Sequence, residues 1–149
     1  MLFEEDKYRF MHAALKEAEK AFEKDEVPIG AVVVHNGKII GRGHNQTESL
    51  NDATAHAEMI AITSASATLG SKFLDECEIF ITAEPCLMCS GAIILSRISK
   101  IYFGTFEPKF GAAGSVYDVF GNKNGLEIYS GLMADESRNL LHAFFSKMR

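Results

Sequence analysis

Cysteine is scarce in this sequence, with three residues among 149, and only Cys86 and Cys89 stand close together. That scarcity excludes a disulfide framework and fits a metal site in a reducing compartment. Long apolar runs are also missing. Nothing approaches the roughly eighteen consecutive apolar residues that a membrane-spanning helix needs, so no membrane association is expected. The opening Met-Leu-Phe-Glu-Glu-Asp-Lys is acidic and lacks a signal-peptide pattern, which points to the cytoplasm. Basic excess is absent as well: the formal net charge is −5. That balance argues against a broad nucleic-acid-binding surface, although it leaves room for a local basic patch. No internal repeat, linker or low-complexity stretch interrupts the chain.

What is present reads as an ordinary globular sequence, 47% hydrophobic and 23% charged. Residues 1–149 are expected to form one domain with a sizeable core. From Glu4 to Lys24 the residues Tyr8, Met11, Leu15, Ala18 and Phe22 form one stripe, the mark of an amphipathic helix that Pro28 ends. Residues 29–35 and 38–42 read as strands joined at Asn36-Gly37, a hairpin turn. Helices are expected over 53–69, 86–97 and 134–148, and strands over 78–83, 100–104 and 127–130. Phe110 to Ser115 is a glycine-rich loop. This alternation predicts an α/β fold, a three-layer α/β/α sandwich around a central mixed five-stranded sheet.

Two short runs carry the chemistry: Thr54-Ala-His-Ala-Glu-Met59 and Ala83-Glu-Pro-Cys-Leu-Met-Cys89. Cys86 and Cys89 have the spacing that lets two thiolates hold one ion, and His56 adds an imidazole. A structural zinc is closed by four protein ligands, whereas a catalytic zinc keeps one position for water. No second C-x-x-C and no H-x3-H follows. His44 is the only further histidine placed to complete a closed site. Cys77 reads as a small apolar residue at a strand edge. In mid-helix, His56 and Glu58 would project about 200° apart. At a first turn both can line one pocket while only His56 touches the metal. Glu58 is then free to move protons, although a plain first-turn glutamate favoured by the helix dipole is the alternative. Zinc brings bound water to a pKa around 7, and a nearby carboxylate can take that proton and pass it on. Pro85 suits a helix entry, which would set Cys86 and Cys89 at the positive helix end that favours thiolates.

The H-x-E…P-C-x-x-C pattern resembles the signature of zinc-dependent nucleobase deaminases. Over about Tyr8 to Phe145 the chain resembles the bacterial tRNA-specific adenosine deaminases, within the cytidine deaminase-like superfamily. Glu26-Val-Pro-Ile-Gly-Ala-Val-Val34, Glu84-Pro-Cys-Leu-Met-Cys-Ser-Gly-Ala-Ile93 and Lys109-Phe-Gly-Ala-Ala-Gly-Ser115 carry the likeness. The resemblance implies one Zn2+ per chain held by His56, Cys86 and Cys89, with Glu58 as the catalytic proton shuttle. It implies substrate contacts from Asn45, Val27 and Pro28, a tRNA anticodon stem-loop as partner, and a homodimer. The implied reaction converts wobble adenosine to inosine. The alternative reading of Asn45 is a turn residue capping its own loop, and of Val27 and Pro28 plain strand-entry packing.

Glu107 departs from the aspartate usual in the family, and the chain stops at Lys147-Met148-Arg149 without the basic extension some members carry. Lys109, Arg97, Lys123, Arg138, Lys147 and Arg149 are the candidate phosphate contacts. A free-base or nucleoside deaminase (guanine or cytosine) on the same scaffold is the alternative function, with Phe144-Phe145 as a lid or as core. A zinc-stapled binding module is the reading from another class.

Overall fold

The computed structural model describes residues 4–121 and 125–148. Its elements run α1 (Glu4–Glu23), β1 (Gly30–His35), β2 (Lys38–His44), α2 (Ala57–Leu69), β3 (Cys77–Ala83), α3 (Leu87–Leu95), β4 (Lys100–Thr105), β5 (Glu127–Tyr129) and α4 (Ala134–Lys147). The strands form one five-stranded sheet in the order β2-β1-β3-β4-β5. β1 is antiparallel to both β2 and β3, while β3, β4 and β5 are mutually parallel. Four strands therefore run one way and β1 alone runs back. The C-terminal ends of β2, β3, β4 and β5 share an edge with the start of β1, and the site is built along that edge.

Helices cover both faces because the strands alternate two apolar sets with the period of a pleated sheet. Val32, Val34, Phe80 and Tyr102 pack with Phe10, Met11 and Ala14 of α1, and with Leu132 and Met133 at the entry to α4. The alternate residues Ala31, Val33, Ile79, Ile81, Ile101 and Phe103 pack with Ala57, Ala61 and Ala65 of α2 and Ile93 of α3. Phe80 stacks on Tyr102 at 4.5 Å between ring centroids, and Tyr102 on Tyr129 at 5.0 Å. These aromatic neighbours tie three parallel strands together on the α1 side. At the opposite end of the sheet Asn36 and Gly37 both take positive φ, 50° and 73°. That is the type I′ turn expected of an Asn-Gly hairpin.

The expected architecture is the observed one; some element ends differ for local reasons. Helix α2 begins at Ala57 and not near residue 53. Thr54 donates both its N–H (2.8 Å) and its hydroxyl (2.7 Å) to Asp52 Oδ1, which makes a turn of that segment. Helix α3 ends at Leu95 and not at residue 97, because Arg97 takes φ 65°. Strand β2 runs on to His44, where residues 38–42 were expected.

Helix α2 lies directly on β2. A Cβ at Gly43 would stand 2.3 Å from the Ala57 carbonyl oxygen, and one at Gly41 2.4 Å from that of Ala61. The alanine stripe of α2 and the glycines of β2 thus fix how close the helix sits, and with it where His56 sits. Gly43→Ala is expected to cost about 1–3 kcal/mol, the usual penalty of overpacking, and to lower zinc content. Urea unfolding and metal analysis of the purified variant measure both; wild-type values would contradict this packing role.

Candidate active site

His56 and Cys86 are each the residue just before a helix, with extended backbone: φ −81°, ψ 153° for His56 and φ −77°, ψ 177° for Cys86. Such positions usually carry Ser, Thr, Asp or Asn, whose side chains cap the exposed helix N–H groups. Neither His56 nor Cys86 makes a side-chain cap bond. Both side chains are directed to a common point, with Cys89 added from the first turn of α3. His56 Nδ1 lies 3.7 Å from Cys86 Sγ and 3.6 Å from Cys89 Sγ. All three donor atoms fall within 4.8 Å of one another. A tetrahedral zinc with ordinary Zn–S and Zn–N bonds would set sulfur and nitrogen about 3.6 Å apart. The residues therefore fit the ion in spacing and in donor type, and among the described residues no fourth protein donor joins them.

Two helix N-termini converge here, and each carries partial positive charge that favours thiolate. Cys86 is drawn down to about 4, first by the hydrogen bond from Cys89 and then by His56. His56 is raised in turn by its bond to Cys86, against the opposing effect of burial. Cys89 keeps its proton more tightly, because it donates to Cys86 and is buried. A bound dication would remove that proton outright. Glu58, in the first turn of α2, is 4% exposed. Its carboxyl is pushed up to about 7, chiefly by burial, with the neighbouring Cys86 charge adding and His56 opposing.

The loop before α2 is built by Asn45. Its Oδ1 accepts the Ala57 N–H at 3.2 Å, and its own N–H donates to Ile29 O at 3.1 Å. Asn45 thus caps the helix whose own cap position is given over to His56, and holds the start of β1 beside it. Pro28 is buried at that start. Val27 lines a cleft with Glu26, Thr47, Glu48, Phe144, Phe145 and Met148. Phe144 is core, packed edge-on to Phe22, while Phe145 stays half exposed at the cleft.

With this geometry in hand, known proteins place the chain. Residues 4–105 match the family model for the cytidine and deoxycytidylate deaminase zinc-binding region. A tRNA-specific adenosine deaminase from Aquifex aeolicus (strain VF5) is 44% identical over 142 residues, 94% of each chain. The chain belongs to the tRNA-specific adenosine deaminases, within the zinc-binding cytidine deaminases. A solved structure from work on A-to-I editing by tRNA:A34 deaminases at the wobble position superposes with TM-score 0.85 at 44% identity. It covers 89% of this chain and 99% of its own. A guanine deaminase from Nitrosomonas europaea shares the fold at TM-score 0.84 with 25% identity, covering 93% of this chain and 84% of its own.

Some expected residues fall elsewhere in this deaminase. His44 is not a fourth ligand: its Nδ1 lies 3.4 Å from Glu17 of α1, on the face of the sheet opposite α2. Alternation along β2 explains this, since Gly41 and Gly43 face α2. Cys77 is a buried structural thiol whose proton burial holds up to about 11. Among the candidate cations, Lys147 pairs with Asp25 at 2.9 Å and Arg138 pairs with Asp135. The Arg97 guanidinium covers the Phe73 ring at 3.7 Å. Lys109 sits beside the exposed Phe110 ring, and Lys123 and Arg149 lie outside the described residues. Glu107 folds back on its own loop, its Oε1 accepting the Lys109 N–H at 2.8 Å.

Two buried carboxylates flanking the site escaped the sequence reading. Glu26 accepts the N–H groups of Glu48 (3.0 Å) and Ser49 (2.6 Å) and the Ser49 hydroxyl (2.6 Å). Glu84 accepts the N–H groups of Glu107 (2.9 Å), Ala113 (2.9 Å) and Ser115 (3.0 Å), and the Ser115 hydroxyl. There is little sign of them in the sequence: Glu84 directly precedes Pro85 at the end of an apolar strand, while Glu26 closes the charged run from Glu23 two residues before Pro28. Burial alone would raise Glu26, but its hydrogen bonds from Ser49, Glu48 and Thr47 outweigh that and hold it below 4.5. A depressed folded-state value means that its stabilisation is complete above about 4.5 and is lost as pH falls through the depressed value. The stability gap between wild type and Glu26→Gln is therefore expected to be widest near neutrality and to narrow below pH 4.5. Urea unfolding at pH 7 and pH 3.5 tests this; a pH-independent gap would contradict the linkage.

Proposed function

We propose that this deaminase hydrolyses adenosine to inosine at the wobble position of a tRNA anticodon loop, with one zinc per chain, as a cytoplasmic homodimer. The observation that carries this reading is a buried carboxyl, Glu58, held near neutrality beside a three-donor metal site that leaves one position for water. The choice of tRNA follows the 44% identity over 94% of the chain to a tRNA-specific adenosine deaminase, against 25% to the Nitrosomonas guanine deaminase and 35% over 80% of the chain to one from Bacillus subtilis.

When bound, zinc supplies a Lewis acid that brings the ionisation of water to around pH 7. Glu58 accepts the first proton that water gives up and passes it to the ring nitrogen beside C6 as the water oxygen bonds to C6. It then takes the second proton from that oxygen and hands it to the amine, which leaves as the C6–N bond breaks and the C6 carbonyl forms. A carboxyl with a value near 7 suits both directions of that transfer, because it neither holds nor releases the proton too strongly. The net reaction consumes one water and yields inosine and ammonia. The adenine must leave the base stack to reach a site sunk between two helix ends, and an unpaired anticodon base does so at low cost. Asn45 orients the nucleoside from the loop that also caps α2, and Val27 and Pro28 wall the pocket at the start of β1. Leu87 and Leu95 of α3, 47% and 78% exposed, offer apolar surface for a second copy.

Glu58→Gln is expected to keep one zinc and to lose roughly 10²–10⁴-fold in turnover, the usual share of a general acid–base. Full activity with full zinc content would remove Glu58 from the mechanism. The substrate is decided by offering the zinc-loaded protein an anticodon stem-loop with wobble adenosine, alongside free guanine, cytosine and adenosine. Inosine in the RNA is the expected product, and ammonia from a free base alone would replace this reading with a free-base deaminase. Sedimentation at micromolar concentration is expected to give a dimer; a monomer throughout would refute that part.

A further inference from the structure

Glu84 stands at the C-terminal end of β3, two residues before Cys86, and is 4% exposed. Its carboxylate does not face the metal donors. It is filled instead by the 106–117 loop: Oε1 takes the Glu107 N–H and the Ser115 hydroxyl, and Oε2 takes the Ala113 and Ser115 N–H groups. A carboxylate has about four acceptor sites, so this one is saturated by a single loop. Two backbone bonds reinforce the join, Glu84 N to Thr105 O at 2.9 Å and Ala112 N to Pro85 O at 2.8 Å. The approach is so close that a Cβ at Gly111 would lie 2.3 Å from the Glu84 carboxyl carbon. The loop's outward surface carries Phe106, Phe110, Val116 and Tyr117, 54%, 59%, 46% and 48% exposed, with Lys109 beside Phe110. Exposed aromatic rings next to a cation are the elements that stack and neutralise unpaired nucleotides.

We propose that Glu84 is a positioning residue: it sets the shape of the 106–117 loop, and through that loop the affinity for substrate RNA, without acting on the metal or on the reacting base. The proposal rests on the RNA reading above. Glutamine at this position keeps the size but turns an NH2 toward loop N–H donors, so about half of the clamp is lost. The loop then opens while α3 and its cysteines stay in place.

The test compares zinc-loaded wild type with Glu84→Gln on the anticodon stem-loop, with zinc content and amide hydrogen exchange of residues 106–117 measured alongside. The expected result is a KM raised at least tenfold, kcat within twofold, zinc unchanged at one per chain, and faster exchange confined to the loop. An unchanged KM overturns the proposal, as does a fall in kcat that tracks lost zinc, which would assign Glu84 to the metal site. Gly111→Ala reaches the same clamp from the loop side and serves if Glu84→Gln fails to fold; it is expected to raise KM likewise. If wild type leaves the stem-loop unedited, the RNA reading fails separately; the exchange comparison then decides the clamp, and equal exchange in both proteins overturns it.

Discussion

Two helices begin at the same point, and each gives up its capping side chain to do so. Most of the molecule follows from that constraint. Helix α2 can reach the point only because β2 ends at the same edge as β3, which requires β1 to run back between them. Helix α3 starts there because β3 ends in Glu84-Pro85, where proline suits a helix entry and has no N–H to leave unpaired. The N–H that His56 leaves uncapped is taken by Asn45 from a neighbouring loop. The site is therefore held by the sheet and by borrowed hydrogen bonds, while three side chains stay free to bind an ion.

The same residue type serves in three environments around this point. Glu58 is buried with little to satisfy its charge, so its proton is retained to near neutrality. Glu26 and Glu84 are as little exposed but lie nearer the surface, and each is filled by backbone N–H and hydroxyl donors and stays ionised. Depth of burial sets how strongly a carboxylate is pushed to hold its proton. The number of donors aimed at it decides how far that push is offset. The first arrangement leaves a group ready to exchange a proton, and the second leaves a fixed anchor for a loop.

Much of this was legible in the sequence, and the rest was hidden for identifiable reasons. Period-two apolar runs and the Asn-Gly turn marked the strands, and the spacing of His56, Cys86 and Cys89 announced a metal. The start of α2 was misjudged because Asp52 to Thr54 forms a side-chain turn that composition does not distinguish from a first helical turn. In sequence His44 is the one conceivable fourth ligand, because sequence distance does not say on which face of a sheet a side chain falls. The anchoring roles of Glu26 and Glu84 were invisible because their partners are backbone N–H groups some 22 to 31 residues away. Such donors leave no trace in residue type.

The Asn36–Gly37 turn has a consequence of its own. It closes the hairpin at the sheet edge opposite the metal donors, and a Cβ at Gly37 would meet nothing within 4 Å. Solvent-facing turns of that kind accept extra chain with little effect on the elements they join. The molecule therefore has a working end and an inert end. A reporter, an affinity handle or a whole tethered module spliced between residues 36 and 37 would ride on the deaminase while leaving the edge that carries the metal donors unobstructed.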